Sequence, residues 1–240
     1  IFPTSSIYNF REYYPNNEGL SFFCNQLQQL LISKGVVFKL NTSIEKIQYS
    51  KGFNLHSKAN NISGDNLYWA APQNILSQVF LQSDRLDKFI HKTPLILFYF
   101  IVKRSKVSDY TYVQNFDSAI SSFRISIQSN YADNNVPQEL ALICCEVPVR
   151  LESKIWKESH QYIDTIWEEL ISLNIVMQGK FIKSKILKTS SAYRLPLLGY
   201  SSEFQKIKAE IDHPNLFGLS DWDYSKNEIM NQINIELNDI

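Results

Sequence analysis

Glycine is scarce in this chain, with seven residues in 240. They are scattered, and none falls in a Gly-x-Gly-x-x-Gly run, so the strand-to-helix loop that cradles a dinucleotide pyrophosphate is not encoded in this stretch. Cysteine is also sparse, at Cys24, Cys144 and Cys145. Two of the three are neighbours in an apolar run, which argues against a disulfide framework and for a reducing compartment, the cytoplasm. The histidines are His56, His91, His160 and His213, and none pairs with another His or Cys at metal-ligand spacing, so no zinc or iron site is expected. No Gly-x-Ser-x-Gly elbow is present, and no catalytic residue can be named from the sequence. An excess of either charge is lacking too: 24 basic residues face 24 acidic ones. That balance argues against nucleic acid or an anionic membrane as the main partner, and a small-molecule substrate is expected only from the resemblance given below. The longest apolar run, residues 95–102, suits a buried strand and is too short to span a bilayer.

What is present is a mixed pattern. Leu20, Phe23, Leu27, Leu30 and Leu31 form one helical stripe, and Gly35 stands where a left-handed C-cap residue ends a helix. Short strands are expected over 36–40, 44–49 and 53–57 as an antiparallel meander, then over 66–70, closed by Ala71-Pro72. A helix follows through Leu76, Val79 and Phe80. Residues 95–103, 110–116, 123–129 and 139–149 are strand-like. Phe123, Ile125 and Ile127 alternate with Arg124, Ser126 and Gln128, as in a sheet with one wet face. A long helix is expected over 155–173 with Ser153 as N-cap, then a strand over 181–189, a helix over 203–211, a strand over 216–219 and a last helix carrying Ile229, Met230, Ile233 and Leu237. Cys144 and Cys145 are expected as strand residues with opposite-facing side chains. The fold class is therefore α+β (mixed α/β), with at least one antiparallel sheet.

Several segments in this order resemble a known family. Tyr14-Pro15 with Gly19-Leu20, then a helix, then Leu40-Asn41-Thr42-Ser43-Ile44 and Ile47, resembles a block of FAD-dependent amine oxidases. The same block recurs in protoporphyrinogen-oxidase-like and phytoene-desaturase-like proteins and in UDP-galactopyranose mutases. Ala70-Ala71-Pro72 resembles the family's Ala-x-Pro turn, and Asn215-Leu216-Phe217-Gly218-Leu219-Ser220-Asp221 resembles its Asn-Leu-Tyr-Leu-Val-Gly-Asp. Ala192-Tyr193 with Pro196, and Gly199-Tyr200, resemble a further element of one branch.

The resemblance implies FAD as cofactor and three segments. Residues 1–92 and 214–240 would be the remainder of a FAD/NAD(P)-binding domain, and 93–213 a substrate domain built on an antiparallel sheet flanked by helices. It implies that a main-chain edge at Ile44 meets the adenine and that the turn at Ala71 and Pro72 approaches the cofactor. Ser220 and Asp221 would precede a helix whose N-terminus faces the pyrophosphate. Arg124, Tyr193 and Tyr200 become substrate-binding candidates, and hydride transfer from an organic substrate to flavin becomes the expected reaction. Ordinary structural roles stand beside each assignment: a core strand residue for Ile44, a strand stop for Ala71-Pro72, a helix cap for Asp221, a solvent-facing Arg124 and packed rings for Tyr193 and Tyr200.

The sequence departs from the family at Asn16-Asn17-Glu18, where a double glycine is usual, and at Ser220, where glycine is usual. With the opening Ile1 and the missing glycine-rich loop, these features lead to the expectation of a C-terminal portion that holds FAD weakly by itself. A mutase-like flavoprotein and a flavin-free interaction module remain as alternatives.

Overall fold

The computed structural model describes residues 19–132 and 136–219. In chain order the elements are α1 (Gly19–Ser33), β1 (Ile44–Tyr49), β2 (Phe53–Ser57), β3 (Asn61–Gly64), β4 (Leu67–Tyr68), α2 (Gln73–Leu81), β5 (Ile90–Lys103), β6 (Tyr112–Gln114) and β7 (Arg124–Ile127). Then come β8 (Leu140–Pro148), α3 (Lys154–Lys157), α4 (Ile163–Ser172), β9 (Lys183–Pro196), α5 (Tyr200–Ile211) and β10 (Leu216–Phe217). The architecture is α+β, with antiparallel sheets and helices. No described helix is long and apolar enough to cross a membrane. Among the described residues two compact units emerge, one from the residues up to Val37 with Thr93–Tyr193, the other from Phe38–Lys92 with the residues from Arg194 onward.

The first unit is built on a five-stranded sheet of order β6-β7-β8-β5-β9. Strand alternation assigns its two faces. Ile96, Phe98, Phe100 and Val102 of β5 point to one side with Ile125, Ile127, Ile143 and Cys145, all at most 1% exposed. Helix α4 covers this side through Ile166, Trp167 and Leu170. Trp167 packs on Phe100 with ring centroids 5.3 Å apart and donates its indole N–H to the Gly179 carbonyl at 2.8 Å. Each fully buried Ile or Phe here contributes on the order of 1.5–3 kcal/mol.

The second unit holds the three-stranded meander β1-β2-β3 and the parallel pair β4 with β10. Its core joins Ile47 and Phe53 of the meander, Leu76 of α2, and Tyr200, Phe204 and Ile207 of α5. Residues 194–211, expected in the substrate domain, thus contribute α5 to the core that contains Ile47 and Leu76. The periodicity of α5 marks its apolar face but not the partner that face meets.

Several elements differ from expectation. Residues 36–40 form no strand, and the third strand of the meander is β3 instead. An extended segment is stabilised by a ladder, and no neighbour supplies one to 36–40 among the described residues. Helix α1 does end before Gly35, which has φ +88°, but Leu20, Phe23, Leu27 and Leu30 of its stripe are exposed. The expected helix over 155–173 breaks at Glu158, whose φ −116° and ψ 34° leave the helical range, and a 3-10 turn over Ser159–Tyr162 intervenes. Ser153 caps α3 as expected, its Oγ accepting from the Trp156 amide. Strand β9 is longer than expected, and α5 starts earlier, at Tyr200. The last expected helix lies outside the described residues.

Candidate functional site

Two places gather the expected site residues, one in each unit. In the second unit, β4 and β10 run parallel with Leu67 beside Leu216 and Tyr68 beside Phe217. Backbone bonds extend the pairing at both ends: Leu67 N–H to the Asn215 carbonyl at 2.9 Å and Trp69 N–H to the Phe217 carbonyl at 2.8 Å. Parallel pairing brings the chain that follows each strand to the same end. Ala71 and Pro72 follow β4, and Gly218 and Leu219 follow β10 and lead to Ser220. Carboxyl ends of parallel strands are where open α/β sheets place ligands.

The two strand ends are held closely. Gly218 has φ +90°, and a Cβ there would lie 2.1 Å from the Trp69 carbonyl oxygen, so glycine is required. The Gln73 side chain, 2% exposed, donates to the Gly218 carbonyl at 2.9 Å. Ala71 is exposed with its small side chain, and Pro72 precedes the first residue of α2. Ile44 opens β1, an edge strand of the meander, opposite Ser57 and half-buried. Among the described residues no strand pairs with the other side of β1. Ser220 and Asp221 lie outside the described residues.

The other place is the second face of the five-stranded sheet. Register aligns its side chains in two transverse rows. Gln114, Arg124, Glu146 and Leu97 stand directly opposite one another across β6, β7, β8 and β5. Tyr112, Ser126, Cys144 and Tyr99 form the next row. Together with Gln128 and Tyr131 they line a groove of about 520 Å³. The wet face expected from alternation is partly sheltered, since Ser126 is 8% exposed and Glu146 7%.

Glu146 is the centre of this face, and sequence reasoning did not single it out. Arg124 donates to its Oε1 from Nε at 2.8 Å and also from Nη2. Tyr193, 47 residues further along the chain, donates its hydroxyl to Oε2 at 2.6 Å. Hydrogen bonding to Glu146 raises the Arg124 guanidinium above its ordinary value. The loop entering β7 is fixed from the core side: Glu169 of α4 accepts the Ser121 amide at 2.8 Å and the Ser122 hydroxyl at 2.9 Å. Two expected substrate residues, Arg124 and Tyr193, are thereby brought to one carboxylate. A lone Glu in the run Ile143-Cys144-Cys145-Glu146-Val147 was the available signal, because an acid inside an apolar strand needs a partner.

The cysteines behave as alternation predicts. Cys145 is fully buried in the core and Cys144 faces the groove, 6% exposed. Burial pushes the Cys144 thiol up to about 11, offset in part by its hydrogen bond with Tyr99. Burial likewise pushes the Tyr99 phenol up to about 12. Tyr200, the third substrate candidate, does not join this face. It is 2% exposed, opens α5 and stacks with Phe204 in the second unit's core, the ordinary packing role open to an aromatic ring.

The fold of the chain is shared with solved structures of several enzymes. Its backbone matches reduced UDP-galactopyranose mutase with a TM-score of 0.71 and 14% identity, over 88% of this chain and 46% of that one. A protein from an Exiguobacterium species assigned as a protoporphyrinogen oxidase matches with a TM-score of 0.65 and 13% identity, over 92% and 51%. Wild-type putrescine oxidase bound to putrescine matches with a TM-score of 0.61 and 10% identity, over 92% and 53%. At these identities the likeness is one of fold. The chain spans about half the length of the solved structures it matches. No protein-family model and no curated protein matches the sequence.

Proposed function

We propose that this chain is the C-terminal portion of an FAD-dependent oxidoreductase of the amine oxidase and protoporphyrinogen oxidase-like type, which transfers a hydride from a small organic substrate to flavin. The observation that carries the reading is the backbone match over 92% of the chain to proteins of both kinds, joined to the ordered motifs from Tyr14-Pro15 to Asp221.

The residues present fit part of such a cofactor. A small exposed Ala71 and the strand that starts at Ile44 offer it main chain, while buried Gly218 holds the ends of β4 and β10 together. The glycine-rich cradle for its diphosphate is not in this sequence, so the chain by itself would hold the group incompletely. Ile44, Ala71, Pro72, Ser220 and Asp221 would form its partial binding edge. When bound, FAD supplies the hydride acceptor, with O₂ or another acceptor reoxidising it. On the substrate side, Arg124 and Tyr193 are ordered by Glu146, so they lose little freedom when a ligand arrives. Cys144 and Tyr99, held protonated by burial, present neutral groups.

A second reading is a mutase-like flavoprotein acting on a nucleotide sugar, favoured by the match to UDP-galactopyranose mutase. A flavin-free interaction module is the third, and it draws on the departures at Glu18 and Ser220. The absorption spectrum of the purified protein tests the proposal. The 240-residue chain is expected to carry little flavin, and a longer form that supplies a Gly-x-Gly-x-x-Gly strand-helix unit is expected to carry it stoichiometrically. A longer form that stays colourless with FAD added would retire the flavoenzyme reading. Bound flavin that is inert towards O₂ while a nucleotide sugar is isomerised would favour the mutase.

A further inference from the structure

The groove on the second face of the five-stranded sheet carries charge only as a matched pair, Arg124 with Glu146, among the described residues that line it. Both carboxylate oxygens are occupied, Oε1 by Arg124 and Oε2 by Tyr193. Oε2 keeps one acceptor site, but an ammonium ligand approaching it meets the Arg124 guanidinium, whose like charge cancels the attraction of Glu146. A phosphate or carboxylate ligand can reach only the Arg124 donors not given to Glu146, and the carboxylate beside them repels it, so the pair offers an anion no net charge.

The groups around the pair are of another kind. Gln114 lies directly opposite Arg124, and Tyr112 directly opposite Ser126. The amide of Gln114 and the hydroxyls of Tyr112 and Ser126 donate and accept alike. None of the three has a side-chain hydrogen-bond partner among the described residues. The rings of Tyr99 and Tyr112 add flat apolar surface, and the space of about 520 Å³ lies in the usual range for a small-ligand pocket. Hydroxyls of a ligand match such groups one for one, since each also donates and accepts.

We propose that this groove binds an uncharged, hydroxyl-rich ligand of the carbohydrate or polyol class, and that Glu146 sets this preference by keeping Arg124 neutralised. The inference deepens the substrate side of the oxidoreductase reading and rests on it for turnover, while binding itself requires no flavin.

The test is titration of the purified 240-residue chain with maltose, sorbitol, uridine diphosphate and putrescine, read by calorimetry and saturation-transfer NMR. At least one of the two neutral ligands is expected to saturate, while uridine diphosphate and putrescine do not. Gln114→Ala, at an edge-strand position, is expected to weaken that binding by roughly fivefold to tenfold. Glu146→Gln is expected to create binding of uridine diphosphate by freeing Arg124. If the Glu146→Gln protein does not fold, Gln114→Ala decides the matter alone. Tighter binding of uridine diphosphate or putrescine than of either neutral ligand, no saturable binding of maltose or sorbitol, or no effect of Gln114→Ala would overturn the proposal. Flavin retention in a longer form is a separate readout, so the groove inference and the flavoenzyme reading fail independently.

Discussion

Tyr193 holds one carboxylate oxygen of Glu146 at 2.6 Å while Arg124 holds the other. The acid stands in the middle of a sheet whose opposite face is dry core, so its partners decide whether it can be there at all. Removing a partner from a sheltered carboxylate costs more than a surface ion pair would, although the Arg124 side chain is 43% exposed and solvent weakens the effect. Arg124→Ala is expected to destabilise the protein by about 1–2 kcal/mol, and Arg124→Ala with Glu146→Ala by less than the sum of the single changes. Urea unfolding of the double-mutant cycle measures this, and strict additivity would mean the pair is not coupled.

The three thiols differ in reactivity. Cys24 is exposed on α1, whereas Cys144 and Cys145 are buried, with Cys144 raised to about 11. Thiolate is the reactive form. Titration with a disulfide reagent near pH 8 is therefore expected to label Cys24 quickly in the native protein and the other two only after unfolding. Rapid native labelling of Cys144, mapped by mass spectrometry, would show that the groove is open.

Alkaline pH is expected to weaken the fold. Tyr99 is raised from 10.0 to about 12 and Cys144 from 9.0 to about 11, both chiefly by burial. A raised acid favours the protonated folded state, so its contribution is complete below the unfolded value and is lost as pH climbs through the folded one. Stability should fall from about pH 9 to pH 12, the window those two groups span. Tyr99→Phe removes one of them, and the alkaline limb of its unfolding curve should be shallower than that of the parent. An unchanged limb would mean other groups govern it.

Gly218 is a further point of failure. Its φ is +90°, and the Trp69 carbonyl oxygen lies 2.1 Å from where a Cβ would stand, which leaves no room for a side chain. Left-handed backbone alone costs a non-glycine residue about 1–2 kcal/mol, and the clash with main chain adds to that. Gly218→Ala is expected to lower the thermal midpoint, with hydrogen exchange rising at Leu67, Trp69 and Leu216. The control Gly35→Ala, where a Cβ meets nothing within 4 Å, should cost less.

The local order of the chain was legible in its residues. The alternation of Ile125 and Ile127 with Arg124 and Ser126 separates the sheet's two faces, because strand side chains must alternate. The adjacent Cys144 and Cys145 divide between those faces for the same reason. The stripe of α1 with Gly35 beyond its end, and Ser153 before α3, follow from helix period and from unpaired backbone groups at helix ends. What the residues could not reveal was which strand lies beside which. Glu146 becomes a hub only because β7 and β8 pair in one register and Tyr193 returns to them. Trp69 and Gly218 meet only because β4 and β10, far apart in the chain, run parallel side by side. Residues 36–40 read as a strand, yet a strand exists only with a neighbour to bond. Period and propensity are properties of a segment and are written in it. Register, strand neighbours and the pairing of a buried charge are properties of contacts between distant segments, and the tertiary structure alone decided them.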